Sequence, residues 1–291
     1  MNHQLLLFDY YQKKWIPQGF HLPKDRQWQS SFCVSNTDIF MMHGFIDAHP
    51  LTSYYAQAFQ FNFISHNMTE IPKTKLHMLK SDCDTSTLAY NNNIYFFATN
   101  YNIIIKPFKN TIDRFYCYRY DLFTGGCHSM KRMYTERKQF ASVGHNNQLF
   151  VFGGMGADML SSSESYDIAT DTWKILADMP SPRCESQAIV LNYQTIAILG
   201  GELVSQDDEW IPARDVLLYN IDTNTFLVAD WKLPVEAAVQ HYASAHMIPE
   251  FQQLVFIQYN CETWILDIPT KTCTHIADPM KYENGATICC Y

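Results

Sequence analysis

The sequence predicts an all-β chain, an array of one four-stranded unit, on three observations. A six-residue step from Asp or Asn to a bulky side chain recurs down the chain. It reads Phe8-Asp9…Trp15, Phe61-Asn62…Met68, Tyr120-Asp121…Cys127, Tyr166-Asp167…Trp173, Tyr219-Asn220…Phe226 and Leu266-Asp267…Cys273. The starts lie about fifty residues apart, a period that marks stacked supersecondary units. Aromatic residues make up 15% of the chain, and such side chains favour strands. Short apolar runs alternate with Asn, Asp and Gly turn signals, as in an all-β repeat.

The middle of the chain shows each element of the unit. Gln139 to Asn146 reads as a first strand and Gln148 to Gly154 as a second, ending in the pair Gly153-Gly154. A Ser-rich loop leads to a third strand from Ser163 to Ile168, the turn Ala169-Thr170-Asp171, and a fourth from Thr172 to Ala177. The next unit repeats the order: Ser186 to Asn192, Thr195 to Gly201, Asp215 to Ile221, the turn Asp222-Thr223-Asn224, then Thr225 to Ala229. Its pair is Gly200-Gly201. Paired glycines after the second strand suit a sharp bend or positive φ. The Asp or Asn before each turn can hydrogen-bond the local backbone. The bulky residue beyond it is expected to pack between units, since one small sheet cannot bury both of its faces.

Paired glycines after an apolar strand, a Tyr-Asp step, and Trp six residues after the Asp resemble the kelch motif. Gly153, Gly154, Tyr166 and Trp173 match it fully; Gly200, Gly201, Tyr219 and Phe226 match nearly so, and Trp15 stands at the Trp position of the first unit. Elsewhere the glycines become His43-Gly44, Ala98-Thr99 and Gln258-Tyr259. The resemblance implies a β-propeller of four-stranded blades, six in number, with a seventh only if residues are missing. The units run 1–26 plus 284–291, 27–80, 81–136, 137–182, 183–238 and 239–283 of one propeller domain. Leu5 to Tyr11 resembles a third strand, Lys13 to Gln18 a fourth, and Ala286 to Tyr291 a first. Pairing of the N- and C-terminal strands in one blade is expected to close the ring, with no second strand visible there.

Composition narrows the function. Charged residues are 17% and hydrophobic ones 47%, which suits a packed core. A formal net charge of −8 and the absence of a basic stripe argue against nucleic acid. No apolar run reaches the ~20 residues that span a bilayer, and Met1 to Asp9 lacks the basic start of a signal peptide. The expectation is a cytoplasmic chain, its setting a cytoskeletal or other large assembly. Nine cysteines without a CxxC pair read as small buried hydrophobes. No metal or cofactor is expected. His43 and His145 could face the central channel, or make a polar contact near a turn.

The loops between second and third strands carry the candidate partner-binding residues. They hold Tyr54 and Tyr55 in one unit, Tyr101, Ile104 and Phe108 in the next, and Asp207, Asp208, Glu209 and Trp210 in a third. The isoleucines Ile103 to Ile105 read either as a strand extension or plug, or as an exposed anchor. The acidic run reads either as a solvated tip or as part of a docking site for another protein. No GxSxG, phosphate loop or HExxH occurs, so the first reading is a non-catalytic interaction module. Two alternatives stand beside it. One is a sugar isomerase or lyase at the channel mouth, as the resemblance permits. The other is a ubiquitin-ligase substrate adaptor, disfavoured without a helical module. Arg137 and Arg183 stand just before first strands, where the kelch resemblance implies a structural Arg.

Overall fold

The computed structural model describes residues 3–22, 27–33, 38–44, 57–62, 64–65, 67–71, 83–100, 115–234, 242–258, 262–277 and 287–290. Strands β1 (His3–Asp9) and β2 (Lys14–Leu22) open the chain. Four strands follow as one sheet: β3 (Gln27–Cys33), β4 (Asp38–Gly44), β5 (Gln57–Asn62) and β6 (Asn67–Ile71). The next sheet contains β7 (Cys83–Tyr90), β8 (Asn93–Asn100), β9 (Phe115–Asp121) and β10 (Cys127–Ser129). Then come β11 (Ala141–His145), β12 (Gln148–Phe152), β13 (Ser163–Asp167) and β14 (Thr172–Ile175).

The following sheet starts with β15 (Gln187–Asn192) and β16 (Thr195–Leu199). A separate hairpin of β17 (Glu202–Val204) and β18 (Trp210–Pro212) intervenes before β19 (Asp215–Asn220) and β20 (Thr225–Lys232) complete it. Strands β21 (Tyr242–Ile248), β22 (Gln253–Gln258), β23 (Thr263–Asp267) and β24 (Thr272–Ala277) form another four-stranded sheet. Strand β25 (Thr287–Cys290) joins β1 and β2 in a three-stranded sheet, ordered β2-β1-β25.

Each four-stranded sheet is an antiparallel meander, the blade of a propeller. Side-chain packing is described through four blades, β7 to β24, rather than through the expected six. No second strand lies between β25 and β1; the two pair directly and in parallel, Leu5 opposite Thr287 and Phe8 opposite Cys290.

The recurrent sequence step has a geometric cause. All six pairs are cross-strand neighbours of the third hairpin: Phe8 with Trp15, Phe61 with Met68, Tyr120 with Cys127, Tyr166 with Trp173, Tyr219 with Phe226, and Leu266 with Cys273. The capping carboxylate or amide closes the turn between them. Asp167 Oδ1 accepts from Thr170 N–H at 2.8 Å, and Asn220 and Asp267 accept likewise from Thr223 and Thr270. Cross-strand aromatic pairs stabilise a sheet at such positions.

The core lies between blades. Trp173 packs with Tyr95, Phe97 and Phe115 of the preceding blade, and its ring centre is 6.2 Å from that of Phe97. Phe226 meets Phe152 of the blade before it at 6.0 Å. A third cluster joins Leu199 and Val216 to Leu254 and Phe256.

Candidate functional site

The loop from β12 to β13 and the segments leading into β11 and β15 meet at one end of their blades. The backbone there is pinned by the glycine pairs. Gly153, Gly154, Gly200 and Gly201 all have positive φ. A Cβ on Gly154 would stand 2.5 Å from the Lys138 carbonyl, and one on Gly201 2.3 Å from that of Cys184. Only glycine lets these backbones approach so closely. Gly154 N–H then donates to the Arg183 carbonyl at 2.8 Å, tying one blade to the start of the next.

Two buried arginines complete the tie. Arg137 Nη1 donates to the Gly153 and Ser162 carbonyls, both at 2.7 Å. Its Nη2 donates to Ser162 Oγ and to Glu164 Oε1. The Glu164 carboxylate also accepts the N–H groups of Tyr134 and Thr135, at 2.7 and 3.0 Å. In the next blade Arg183 donates to the Asp215 carboxylate at 2.8 Å, to its carbonyl, and to Ser181 Oγ. Burial pushes both guanidinium pKa values down, and the acidic partners oppose that. Both groups are engaged through their Nη atoms, while each buried Nε has no hydrogen-bond partner. Arg137 and Arg183 stood out in the sequence, but their partners Glu164 and Asp215 did not, because each lies about thirty residues away along the chain.

From this rigid floor the β17-β18 hairpin projects. Val204 stands opposite Trp210, and Leu203 opposite Ile211. Its tip is a tight turn in which Ser205 Oγ accepts from the N–H groups of Asp207 and Glu209, and Asp208 has φ of 60°. Trp210, Val204 and Ile211 are 49%, 40% and 37% exposed, and Asp207, Asp208 and Glu209 are exposed beside them. One apolar ribbon with an acidic tip thus gathers four of the candidate residues. Tyr54, Tyr55, Tyr101, Ile104 and Phe108 lie outside the described residues.

Cys117 and Cys184 are buried and burial pushes both thiols up to about 12, far from thiolate chemistry at neutral pH. His145 meets the next blade's turn, its Nε2 2.9 Å from the Tyr193 carbonyl. The side chain of His43 lies outside the described residues. Among the described residues no three His, Cys, Asp or Glu side chains gather as metal ligands, and no helix is long and apolar enough to cross a membrane.

Comparison with known proteins agrees with this architecture. The Kelch motif family matches residues 136–180. Over 96 residues, 32% of this chain, it is 33% identical to Kelch-like protein 38 of Rattus norvegicus. It is 28% identical over 94 residues, 31% of the chain, to Kelch-like protein 41a of Danio rerio, and 42% over 67 residues, 20% of the chain, to Kelch-like protein 15 of the same fish. The matched stretches span 16%, 16% and 11% of these relatives' own lengths. Antiparallel four-stranded blades and glycine pairs of positive φ at second-strand ends, together with the Kelch motif matched at residues 136–180, support an all-β, kelch-type β-propeller.

Proposed function

We propose that this chain is a non-catalytic interaction propeller, a docking subunit of a larger cytoplasmic assembly of cytoskeletal type, which holds another protein at its loop face. The observation that carries this reading is the β17-β18 hairpin. An exposed Trp beside apolar neighbours is the kind of anchor that dominates protein interfaces. Interfaces also need a rigid base, and the Arg137 and Arg183 networks supply one. An acidic-sugar enzyme would want free arginines near the axis. Arg137 and Arg183 are engaged, and Arg214 Nε donates to the Leu233 carbonyl at 2.9 Å.

The scaffold we propose has six blades in a ring that β1 and β25 close. The inner strands β25, β3, β7, β11, β15 and β21 neighbour one another in that order, and β21 neighbours β25. The parallel pairing of β25 with β1 suits the first and third strands of a meander, which run the same way.

Gentle purification from the native source, with assembly mass measured and co-purifying chains identified, tests the reading. A stoichiometric complex that Trp210→Ala weakens about tenfold or more, without change in thermal midpoint, is expected. A monomer, or a complex indifferent to Trp210→Ala, removes the hairpin from the reading.

A further inference from the structure

We propose that the opposite face of the propeller, built from the tight hairpin turns, is a second docking surface, and that its occupant is a basic amphipathic segment of another protein. Alternate strands of a meander run the same way, so the first and third turns of each blade lie side by side. Leu122 N–H donates to the Asn92 carbonyl at 3.0 Å, Ile221 to Gln194 at 2.9 Å and Ile268 to Gln252 at 3.1 Å. This face does not include the β17-β18 hairpin, and the inference does not depend on it.

The third turns allow an internal comparison. The second residue after the capping Asp or Asn is Tyr11, Ile64 and Phe123 in three successive sheets, and Ala169, Asp222 and Pro269 in the other three. Capping is the same in both sets: Asp9, Asn62 and Asp121 accept from Gln12, Ser65 and Thr124 at 2.8, 2.8 and 3.0 Å. The turn therefore folds with a small or polar side chain at this position and does not require bulk. Yet Tyr11, Ile64 and Phe123 are 79%, 76% and 83% exposed. Large apolar side chains at turn tips, where Gly, Asn, Asp and Ser are usual, mark a contact surface. Phe251, half exposed on a first turn, extends the arc, its ring centre 6.4 Å from that of Tyr11.

Charge selects the occupant. Among the described residues the exposed Asp222 and Glu250 and the partly exposed capping carboxylates Asp9, Asp121, Asp167 and Asp267 lie on this face, against Lys13, Lys14 and Lys271, the last already paired with Asp230. Asp171 is engaged by the Lys131 N–H and the Tyr166 hydroxyl. The arc also accepts a cation from within the chain: the Lys13 ammonium sits 3.3 Å over the Tyr10 ring. Tyr11 and Phe251 offer similar rings to Lys or Arg of a partner. A formal net charge of −8 opposes docking on anionic lipid.

The test uses a fluorescent amphipathic helix of Leu and Lys, with a Leu and Glu counterpart, titrated by anisotropy. The Lys helix is expected to bind at least about tenfold more tightly than the Glu helix. The variant Tyr11→Ala/Ile64→Ala/Phe123→Ala, which adopts the residue of the sister turn and keeps every carboxylate, is expected to lose about tenfold or more of that binding. Phe123→Ala alone should lose part of it, with an unchanged thermal midpoint. Equal binding by the triple variant, or by the Glu helix, overturns the proposal. So does self-association of the wild type that the triple variant abolishes, which makes the occupant a second copy, or sedimentation with phosphatidylserine vesicles in place of peptide binding.

Discussion

Arg137 and Glu164 form an ion pair of 2.9 Å, with side chains 0% and 2% exposed, at the end of the blade where three segments converge. The arginine satisfies carbonyls on both sides of the loop after β12, while the carboxylate caps two N–H groups of the segment entering the blade. Neither charge would persist there alone, since an unpaired buried ion costs several kcal/mol.

Arg137→Ala is therefore expected to destabilise the fold by about 3–5 kcal/mol, because it strands the Glu164 carboxylate in a dry site. Arg137→Lys should recover little, since a single ammonium cannot reproduce the forked donor set. Urea unfolding midpoints of both variants check this; a midpoint equal to wild type would falsify the structural role given to the pair.

Trp173→Ala is expected to cost about 3–5 kcal/mol, because it empties a site between two blades. The indole also loses its hydrogen bond to the Lys131 carbonyl, 2.8 Å away. Calorimetry is the direct measurement, and an unshifted transition would contradict the inter-blade core.

Acid sensitivity follows from the turn carboxylates. Asp121 is held below its ordinary pKa by the Thr124 N–H, Asp167 by that of Thr170, and Asp267 by the Thr270 hydroxyl and the Gln253 amide. A lowered folded-state pKa gives stability that is complete above the unfolded value of about 3.9 and lost as pH falls through the folded one. Asn62 and Asn220 cap the same turns in sister units without ionising. The variant Asp121→Asn/Asp167→Asn/Asp267→Asn should hence keep its midpoint at pH 7 and lose less than wild type between pH 5 and pH 2. Parallel thermal melts across that range give the answer, and identical acid limbs would discard the capping argument.

Thiol labelling probes the blade interior. Cys117 and Cys184, with thiols pushed up to about 12, should resist iodoacetamide at pH 8 in the native protein and react fully in denaturant. Peptide mapping that finds either labelled at once in native conditions would show that its blade opens readily.

Much of the architecture was legible because local chemistry repeats. The step from Asp167 to Trp173 encodes a hairpin and its cross-strand pair, and Gly153-Gly154 encodes a backbone that no Cβ can enter. The docking candidates were legible only in part. The acidic run and Trp210 were visible as a loop, but their pairing into a ribbon was not, since it rests on a three-residue register that propensity leaves undecided. The exposed turn arc emerges once Tyr11, Ile64 and Phe123 are aligned by their capping residue and seen to point outward.

By itself the sequence determined the all-β repeat, the unit period, and the residues of each third hairpin, because turn capping and strand alternation act over a few neighbouring residues. Tertiary structure alone decided which carboxylate meets Arg137, that β25 runs parallel to β1, and which apolar side chains are left to solvent. Those outcomes depend on contacts between residues far apart in the chain, whose pairing is set by how blades stack and not by any local preference.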